Sequence, residues 1–165
     1  MGVHVDLVPS DPRWRVLYEE EERRLRASLG DEAHLVEHVG STSVPGLAAK
    51  PIIDVVLAVT DSSVEAGYVP QLEDAGYEMK LRETDWYQHR LLTRDSPAVN
   101  LHVFSEGCEE IERMIVFRDR LRRSKADRDR YSKLKRELAE VEWPSIQDYA
   151  DAKSELVKAI LAEAT

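Results

Sequence analysis

The nine residues "PIIDVVLAV", from Pro51 to Val59, constrain the fold of this chain most. A short run that is apolar at nearly every position and rich in β-branched residues is typical of a strand covered on both faces of a sheet. Strand alternation places Asp54, Val56 and Ala58 on one face of it. The chain must therefore build layers against both faces and accommodate one carboxylate among aliphatic side chains.

The remaining pattern predicts a mixed sheet with a helical C-terminal third. Apolar residues at three- and four-residue intervals predict a helix over 12–29, ended by Gly30, and a weaker helical pattern covers 61–76. From Glu109 onward the chain is helical, and its last helix begins at Ser145 with Asp148 in capping-box spacing. The predicted strands, of which the last three form an antiparallel ribbon, cover residues 33–39, 51–59, 78–82, 87–94 and 99–104. We predict an α+β fold in one domain, residues 1–165, with a mixed β-sheet flanked by helices.

Composition narrows the class of protein. The formal net charge of −9 argues against broad nucleic-acid binding, which draws its affinity from cations that replace phosphate counterions. Cys108 is the single cysteine of the sequence, so an internal disulfide is excluded. The first fourteen residues lack a basic segment followed by an apolar one, and no apolar run approaches membrane-spanning length. We expect a cytoplasmic protein with no membrane association.

One segment reverses the overall charge. Between Arg118 and Arg136 ten basic and three acidic residues give a net charge of +7. Charge runs of this kind usually form a solvated helical face. The other interpretation is a local positive wall for a phosphorylated small molecule, and the pattern leaves both open.

The segment "GSTSVPGLAAK" joins two predicted strands and could bind an anion. Gly40 can adopt backbone angles closed to other residues and lets a ligand come close, while Ser41, Thr42 and Ser43 offer hydroxyls and three consecutive N–H groups to a phosphate. The spacing is not that of a Walker loop, since Lys50 lies four residues after Gly46. By spacing alone, an ordinary turn is an equal alternative.

Asp54 needs a partner because burial of an isolated carboxylate costs several kcal/mol. One solution is a position at the sheet edge, with access to solvent or a salt bridge to Lys50 or an arginine. The other is a metal ion or a substrate. Lys50 stands just before this strand, where its amine could meet either the carboxylate or a bound phosphate.

The segments "HVGSTSVPGLAAKPIIDVVLAV", "NLHVF", "FRDRLR" and "YSKLKRELA" resemble the GrpB family of small bacterial proteins, also known as UPF0157. The resemblance covers nearly the whole chain. It implies a nucleotidyltransferase-like fold, in which a Gly-Ser turn holds the triphosphate and the following strand carries metal-binding carboxylates. Some relatives are fused to dephospho-CoA kinase, which points to nucleotide or coenzyme A metabolism.

Carried over residue by residue, the resemblance gives an incomplete set of acids. Gly40 and Ser41 match the Gly-Ser turn, and Asp54 matches the first carboxylate, with Mg²⁺ or Mn²⁺ as its implied metal. Val56 stands where the second carboxylate belongs, and valine binds no metal. In place of the third acid, the neighbouring strand offers Asn100 and His102. Transfer by the ordinary two-metal route is therefore doubtful.

The remaining candidates have both structural and functional interpretations. His102 could act as a general base or metal ligand beside Asp54, or as a hydrogen-bonded structural histidine. Arg118 and Arg122 share a helix face and, with Lys135, are predicted to point at a phosphate, although ordinary surface charges are the alternative. Lys153 has similar standing through the family resemblance. We expect His89 at the surface, His38 in a minor role, and a helical core of Phe117, Leu121, Leu134, Leu138, Tyr149 and Leu156.

Two hypotheses follow. The first is a nucleotidyltransferase-fold protein that binds a nucleotide or other phosphate-bearing small molecule between the 40–50 loop and the Arg118 helix, with Asp54 and His102 catalytic if it is an enzyme. The second is a non-catalytic module that kept the fold, lost its metal acids, and senses a ligand or docks on a partner. Val56 is the feature in favour of the second.

Overall fold

The computed structural model of the chain describes residues 6–164. Residues 1–5, which include part of the N-terminal stretch used to predict localisation, lie outside this range. No helix within residues 6–164 has the length and apolar character that crossing a membrane requires.

Five strands form one mixed sheet: β1 at Leu35–Val39, β2 at Ile53–Val59, β3 at Glu78–Glu83, β4 at His89–Asp95 and β5 at Ala98–Ser105. The sheet order is β1-β2-β5-β4-β3. Strand β2 is paired on both sides, in parallel with β5 and antiparallel with β1, and the other pairs are antiparallel. All seven β2 residues except Asp54 are buried, as the apolar run predicts.

Six α-helices accompany the sheet among the described residues: α1 at Arg13–Leu29, α2 at Val69–Asp74, α3 at Glu109–Arg123, α4 at Lys125–Ala139, α5 at Ile146–Ala152 and α6 at Ser154–Ala164. The predicted helix over 61–76 is too long, because α2 begins only at Val69. Pro70 lies in its first turn, where the missing N–H costs no hydrogen bond. Ser145 caps α5 as predicted, since its Oγ accepts from the Asp148 amide at 3.1 Å.

Helices cover both faces of the sheet. Val55 and Leu57 lie on the face that packs against Leu25 of α1 and the residues around α2. Val56 and Phe104 lie on the opposite face, which packs against Ile111 of α3. Each fully buried aliphatic side chain contributes about 1.5–3 kcal/mol, so these two layers account for the burial of β2. The α+β architecture and the helical C-terminal third are as predicted.

A third apolar cluster fixes the connection between β1 and β2. Val44 and Leu47, both fully buried, pack against Leu121 of α3, Tyr131 of α4 and Ile160 of α6. The C-terminal helices therefore close over the beginning of β2, next to Asp54. Of the predicted helical core, Leu121 and Tyr149 are buried, whereas the partly buried members are Phe117, Leu134, Leu138 and Leu156.

Candidate functional site

Asp54 lies at the beginning of β2 and opens onto a cavity. It is paired with Val39 of β1 and Asn100 of β5. Its side chain is 29% exposed and contributes to the wall of a cavity of about 170 Å³. Among residues 6–164, the ion-pair partner found for its carboxylate is His102, at 3.4 Å. The carboxylate is therefore neither sealed in the core nor held by Lys50 or an arginine.

The loop after β1 forms one wall of this cavity, and Gly40 makes it possible. Its φ is +72°, a conformation that residues with a side chain rarely adopt. A Cβ at this position would lie 2.5 Å from Oδ2 of Asp54. Glycine is required here both by the backbone angle and by the close approach of the carboxylate.

The three hydroxyls of the loop have different surroundings. Ser41 Oγ lies at the cavity and accepts from Nζ of Lys135 at 2.6 Å. Thr42 also contributes to the wall, but its hydroxyl is bonded to Nε2 of His38 at 2.9 Å. Ser43 turns away: its hydroxyl and its amide both donate to the Gly40 carbonyl. The prediction of three available N–H groups is therefore wrong for Ser43.

Three lysines surround the same cavity. Lys50 comes from the loop, Lys135 from α4 and Lys153 from the end of α5. Lys135 is only 3% exposed and, besides Ser41, donates to the Ala48 carbonyl at 2.8 Å. The positive charge of the cavity is thus built from three separate segments that only the folded chain brings together.

Burial and the neighbouring ammonium groups lower the pKa of two of these lysines. Burial, followed by the ammonium groups of Lys153 and Lys50, lowers the pKa of Lys135 to about 7. Burial and the ammonium of Lys50 lower the pKa of Lys153 to about 8. The carboxylate of Asp54 opposes both shifts without cancelling them. The cavity therefore has an excess of positive charge.

Two tyrosine rings support the lysines. Nζ of Lys153 lies 4.5 Å from the ring centre of Tyr149, and Nζ of Lys135 lies 5.5 Å from that of Tyr131. Such contacts stabilise an ammonium without using its N–H donors. Tyr149 is 1% exposed and contributes to the cavity wall, and its hydroxyl finds no hydrogen-bond partner among residues 6–164. A buried hydroxyl without a partner is rare in proteins.

The sequence carries a signal for these helices that the spacing of basic residues does not reveal. "YSKLK" and "YADAK" both have the pattern Tyr-x-x-x-Lys, which places Tyr131 one helical turn before Lys135, and Tyr149 one turn before Lys153. The apolar pattern predicts only a core position for Tyr149, and the residue is buried as predicted. Its contribution to the cavity became visible only with the placement of α5.

Arg118 and Arg122 do not line the cavity at Asp54. They line a second, larger cleft of about 1220 Å³ together with Thr42, Ser43 and Gly46 of the loop, so the predicted cleft between the loop and the Arg118 helix is present, but Asp54 lies in the other cavity. Arg118 is 8% exposed and donates from Nη1 to the His38 carbonyl at 3.0 Å. Arg122 donates from Nε to the Ser43 carbonyl at 2.9 Å. Both arginines thus hold the backbone on either side of Gly40 from α3, Arg118 at the end of β1 and Arg122 in the loop.

His102 connects Asp54 to a row of ionisable groups. Its Nδ1 lies 3.1 Å from Nε2 of His89, whose Nδ1 lies 2.9 Å from Oε1 of Glu83. The prediction that His89 lies at the surface is wrong: it is 4% exposed and stacks on His102 with ring centres 5.3 Å apart. Burial and the neighbouring His102 lower the pKa of His89. His102 itself lies behind Asp54 and does not contribute to the cavity wall.

Three hydrogen bonds join Glu83, His89, His102 and Asp54 in one row. The 3.4 Å contact between His102 and Asp54 is the longest of the three. His102 therefore lies beside Asp54, and its other ring nitrogen contacts His89.

The fold and the cavity define a small α+β protein whose mixed sheet carries a lysine-lined pocket at the beginning of β2. The chain belongs to the GrpB family: the family model described as GrpB protein matches residues 4–163. This chain is 53% identical over 160 residues to a UPF0157 protein of Halalkalibacterium halodurans, with 97% of this chain and 82% of that protein covered. With a UPF0157 protein of Streptomyces coelicolor it shares 42% identity over 163 residues, covering 99% and 86%.

A solved structure supports the same assignment. The crystal structure of the conserved protein GrpB from Enterococcus faecalis aligns with a TM-score of 0.83 and 33% identity, over 96% of each chain. The predicted family membership and the predicted fold class are both confirmed. The roles of the individual site residues stay predictions.

Proposed function

We propose that this chain binds a phosphate-bearing small molecule, a nucleotide or a coenzyme A-related compound, in the lysine-lined pocket. The observation that carries the proposal is the convergence of Lys50, Lys135 and Lys153 with the unpartnered Tyr149 hydroxyl around one carboxylate. Phosphate oxygens accept charge-assisted hydrogen bonds from lysine, and the Ser41 side of the loop adds neutral donors. An anion of this kind relieves the crowding of the three ammonium groups.

The size of the pocket restricts which part of the ligand enters. Sites that enclose a whole small molecule have volumes of roughly 300–1,000 Å³, whereas this pocket holds about 170 Å³. A phosphate group fits such a space, and a nucleoside does not. We infer that the phosphate end is enclosed and the rest of the ligand lies outside, above the loop.

In a transfer reaction the residues would divide the work. The carboxylate of Asp54 faces the pocket and would accept the proton of an attacking hydroxyl. His102, which contacts Asp54 at 3.4 Å, would assist it as a hydrogen-bond partner. The lysines would stabilise the charge that develops on the phosphoryl oxygens and the leaving group.

Titration calorimetry of the purified full chain tests binding. ATP, CTP, GTP, AMP and coenzyme A precursors are titrated with and without Mg²⁺ or Mn²⁺. At least one is expected to bind with a dissociation constant below about 1 mM. Absence of heat for every ligand at millimolar concentration would overturn the proposal.

The second candidate function is a non-catalytic, ligand-sensing module, favoured by Val56 in the place of a second carboxylate. Val56 is fully buried against Phe104, so no water-exposed group replaces the missing acid. The variant Asp54→Asn separates the two functions. It removes one negative charge from the pocket, so phosphate affinity is expected to rise by about two- to tenfold. An enzyme that uses Asp54 as a base would also lose about 10²–10⁴-fold in turnover, whereas a sensor has no turnover to lose.

Phosphate binding should weaken at alkaline pH. The pKa values of Lys135, about 7, and Lys153, about 8, place the loss of both positive charges between about pH 6 and pH 9, so half of the Lys135 charge and most of the Lys153 charge remain to be lost above pH 7. A phosphomonoester is already doubly charged above about pH 7, because its second pKa is about 6. The affinity for AMP is therefore expected to fall by about tenfold or more from pH 7 to pH 9, with uptake of protons on binding. Constant affinity across this range would show that neither lysine contacts the ligand.

A further inference from the structure

The Mg²⁺ or Mn²⁺ that the family resemblance implies needs a set of oxygen ligands at Asp54, and the residues present do not supply one. Two-metal sites hold their ions between several carboxylates. Here Val56 is buried. On the adjacent strand β5, Asn100 pairs with Asp54 and His102 pairs with Val56, and the second ring nitrogen of His102 contacts His89. Across residues 6–164 no group of three or more His, Cys, Asp or Glu side chains is arranged to hold a metal ion.

Positive charge is already present around Asp54, where the family resemblance implies a metal ion. Three lysine ammonium groups and one ionised carboxylate give the pocket a charge of +2 when all are charged. A divalent cation would raise this charge to +4 in a largely buried space, which Coulomb repulsion opposes. The dianionic phosphate of a monoester or of a terminal phosphoryl group would bring it to zero.

The lysines are also held in a way that leaves donors for a ligand. Two of the three N–H donors of Lys135 are used, by Ser41 and by the Ala48 carbonyl. Lys153 and Lys50 lie 4.5 and 6.0 Å from the ring centre of Tyr149, a contact with the π-face that uses no hydrogen bond. Tyr149, whose hydroxyl finds no partner among residues 6–164, belongs to the same wall.

We propose that the pocket binds the dianionic phosphate group of its ligand without a divalent metal ion, with Lys50, Lys135 and Lys153 supplying the positive charge. This inference rests on the proposed function and names the form in which the ligand binds. It makes the pocket a fixed cationic site in place of a metal centre, although the sheet carries an acid at the position where the resemblance implies a metal ligand.

The test compares metal-free and metal-containing titrations of the full chain. Inorganic pyrophosphate and ATP are titrated in EDTA and again with excess Mg²⁺ or Mn²⁺. Affinity in EDTA is expected to equal or exceed that with metal, since the metal competes with the lysines for phosphate oxygens. The variant Lys50→Gln should lower affinity in EDTA by about tenfold or more. Lys80→Gln, which changes a lysine on β3 paired with Glu78, is the matched control and should leave it unchanged.

The outcomes separate this inference from the proposed function. Binding that appears only with Mg²⁺ or Mn²⁺ would overturn the metal-free site and leave phosphate binding standing. Binding in EDTA that Lys50→Gln does not weaken would also overturn it, because the phosphate would then be held elsewhere. Absence of binding under both conditions would overturn the proposed function and the inference together.

Discussion

Replacement of Lys153 by methionine is expected to weaken phosphate binding by about 10- to 100-fold and, at the same time, to raise the melting temperature. A hydrogen bond to a charged group contributes about 1.5–3 kcal/mol, which is one to two decades in affinity. Methionine keeps the length of the side chain and its packing against Tyr149. The loss of affinity therefore isolates the charge.

The gain in stability follows from the lowered pKa of Lys153. The folded chain holds this proton with a pKa of about 8, whereas a lysine in the unfolded chain has a pKa of 10.5. Below pH 8 the folded state therefore carries an ammonium in unfavourable surroundings, and the unfolded state does not. Removal of the charge should add about 1 kcal/mol at pH 7, or roughly 2–4 °C in melting temperature. Calorimetry of folding and of AMP binding on the same samples measures both effects.

Lys158→Met is the matched control for this variant. Lys158 lies on α6, one turn beyond Lys153, and its side chain is 73% exposed. Its replacement should change neither quantity. If Lys153→Met instead lowered the melting temperature and left affinity intact, Lys153 would be a structural residue and the pocket would lose one of its three cations.

Replacement of Gly40 by alanine is expected to destabilise the chain by about 2–4 kcal/mol and to abolish phosphate binding. The backbone angle of +72° strains any residue with a side chain, and the new Cβ would overlap Oδ2 of Asp54 at 2.5 Å. Relief of this overlap moves either the loop or the carboxylate, and both form the pocket. Thermal unfolding should show a melting temperature lower by about 5–15 °C.

Gly107→Ala separates strain from collision. Gly107 has a similar φ of +79°, yet an added Cβ there meets nothing within 4 Å. Its cost should be the backbone term alone, about 1–2 kcal/mol, with phosphate binding unchanged. Equal losses in the two variants would mean that the contact between Gly40 and Asp54 adds nothing to the backbone strain.

The sequence predicts the parts of the fold that local pattern determines. The apolar run of β2 requires burial on both faces, and the ribbon of β3, β4 and β5 follows from alternation and turn residues. Asp54 and Gly40 were singled out by the same reasoning, because a lone acid in an apolar strand and a glycine before a run of hydroxyls both need an explanation. These features depend on neighbours in the chain.

The composition of the pocket depends on helix packing, which one sequence does not specify. Arg118 and Arg122 satisfy the same spacing rule as the tyrosine–lysine pairs, but α3 places them in the second cleft and not in the cavity at Asp54. The packing of the C-terminal helices on Val44 and Leu47 decides which basic side chains line the pocket. His89 was predicted at the surface for a similar reason, since its burial comes from the neighbouring strand and from Phe104.

A crystal structure of the full chain grown with ATP and EDTA would show whether the lysine-lined pocket binds phosphate without a metal ion. We expect the terminal phosphate in the pocket, with its oxygens about 2.7–3.2 Å from Nζ of Lys50, Lys135 and Lys153. A nucleotide bound elsewhere on the surface, with the lysine-lined pocket still free of phosphate, would contradict it.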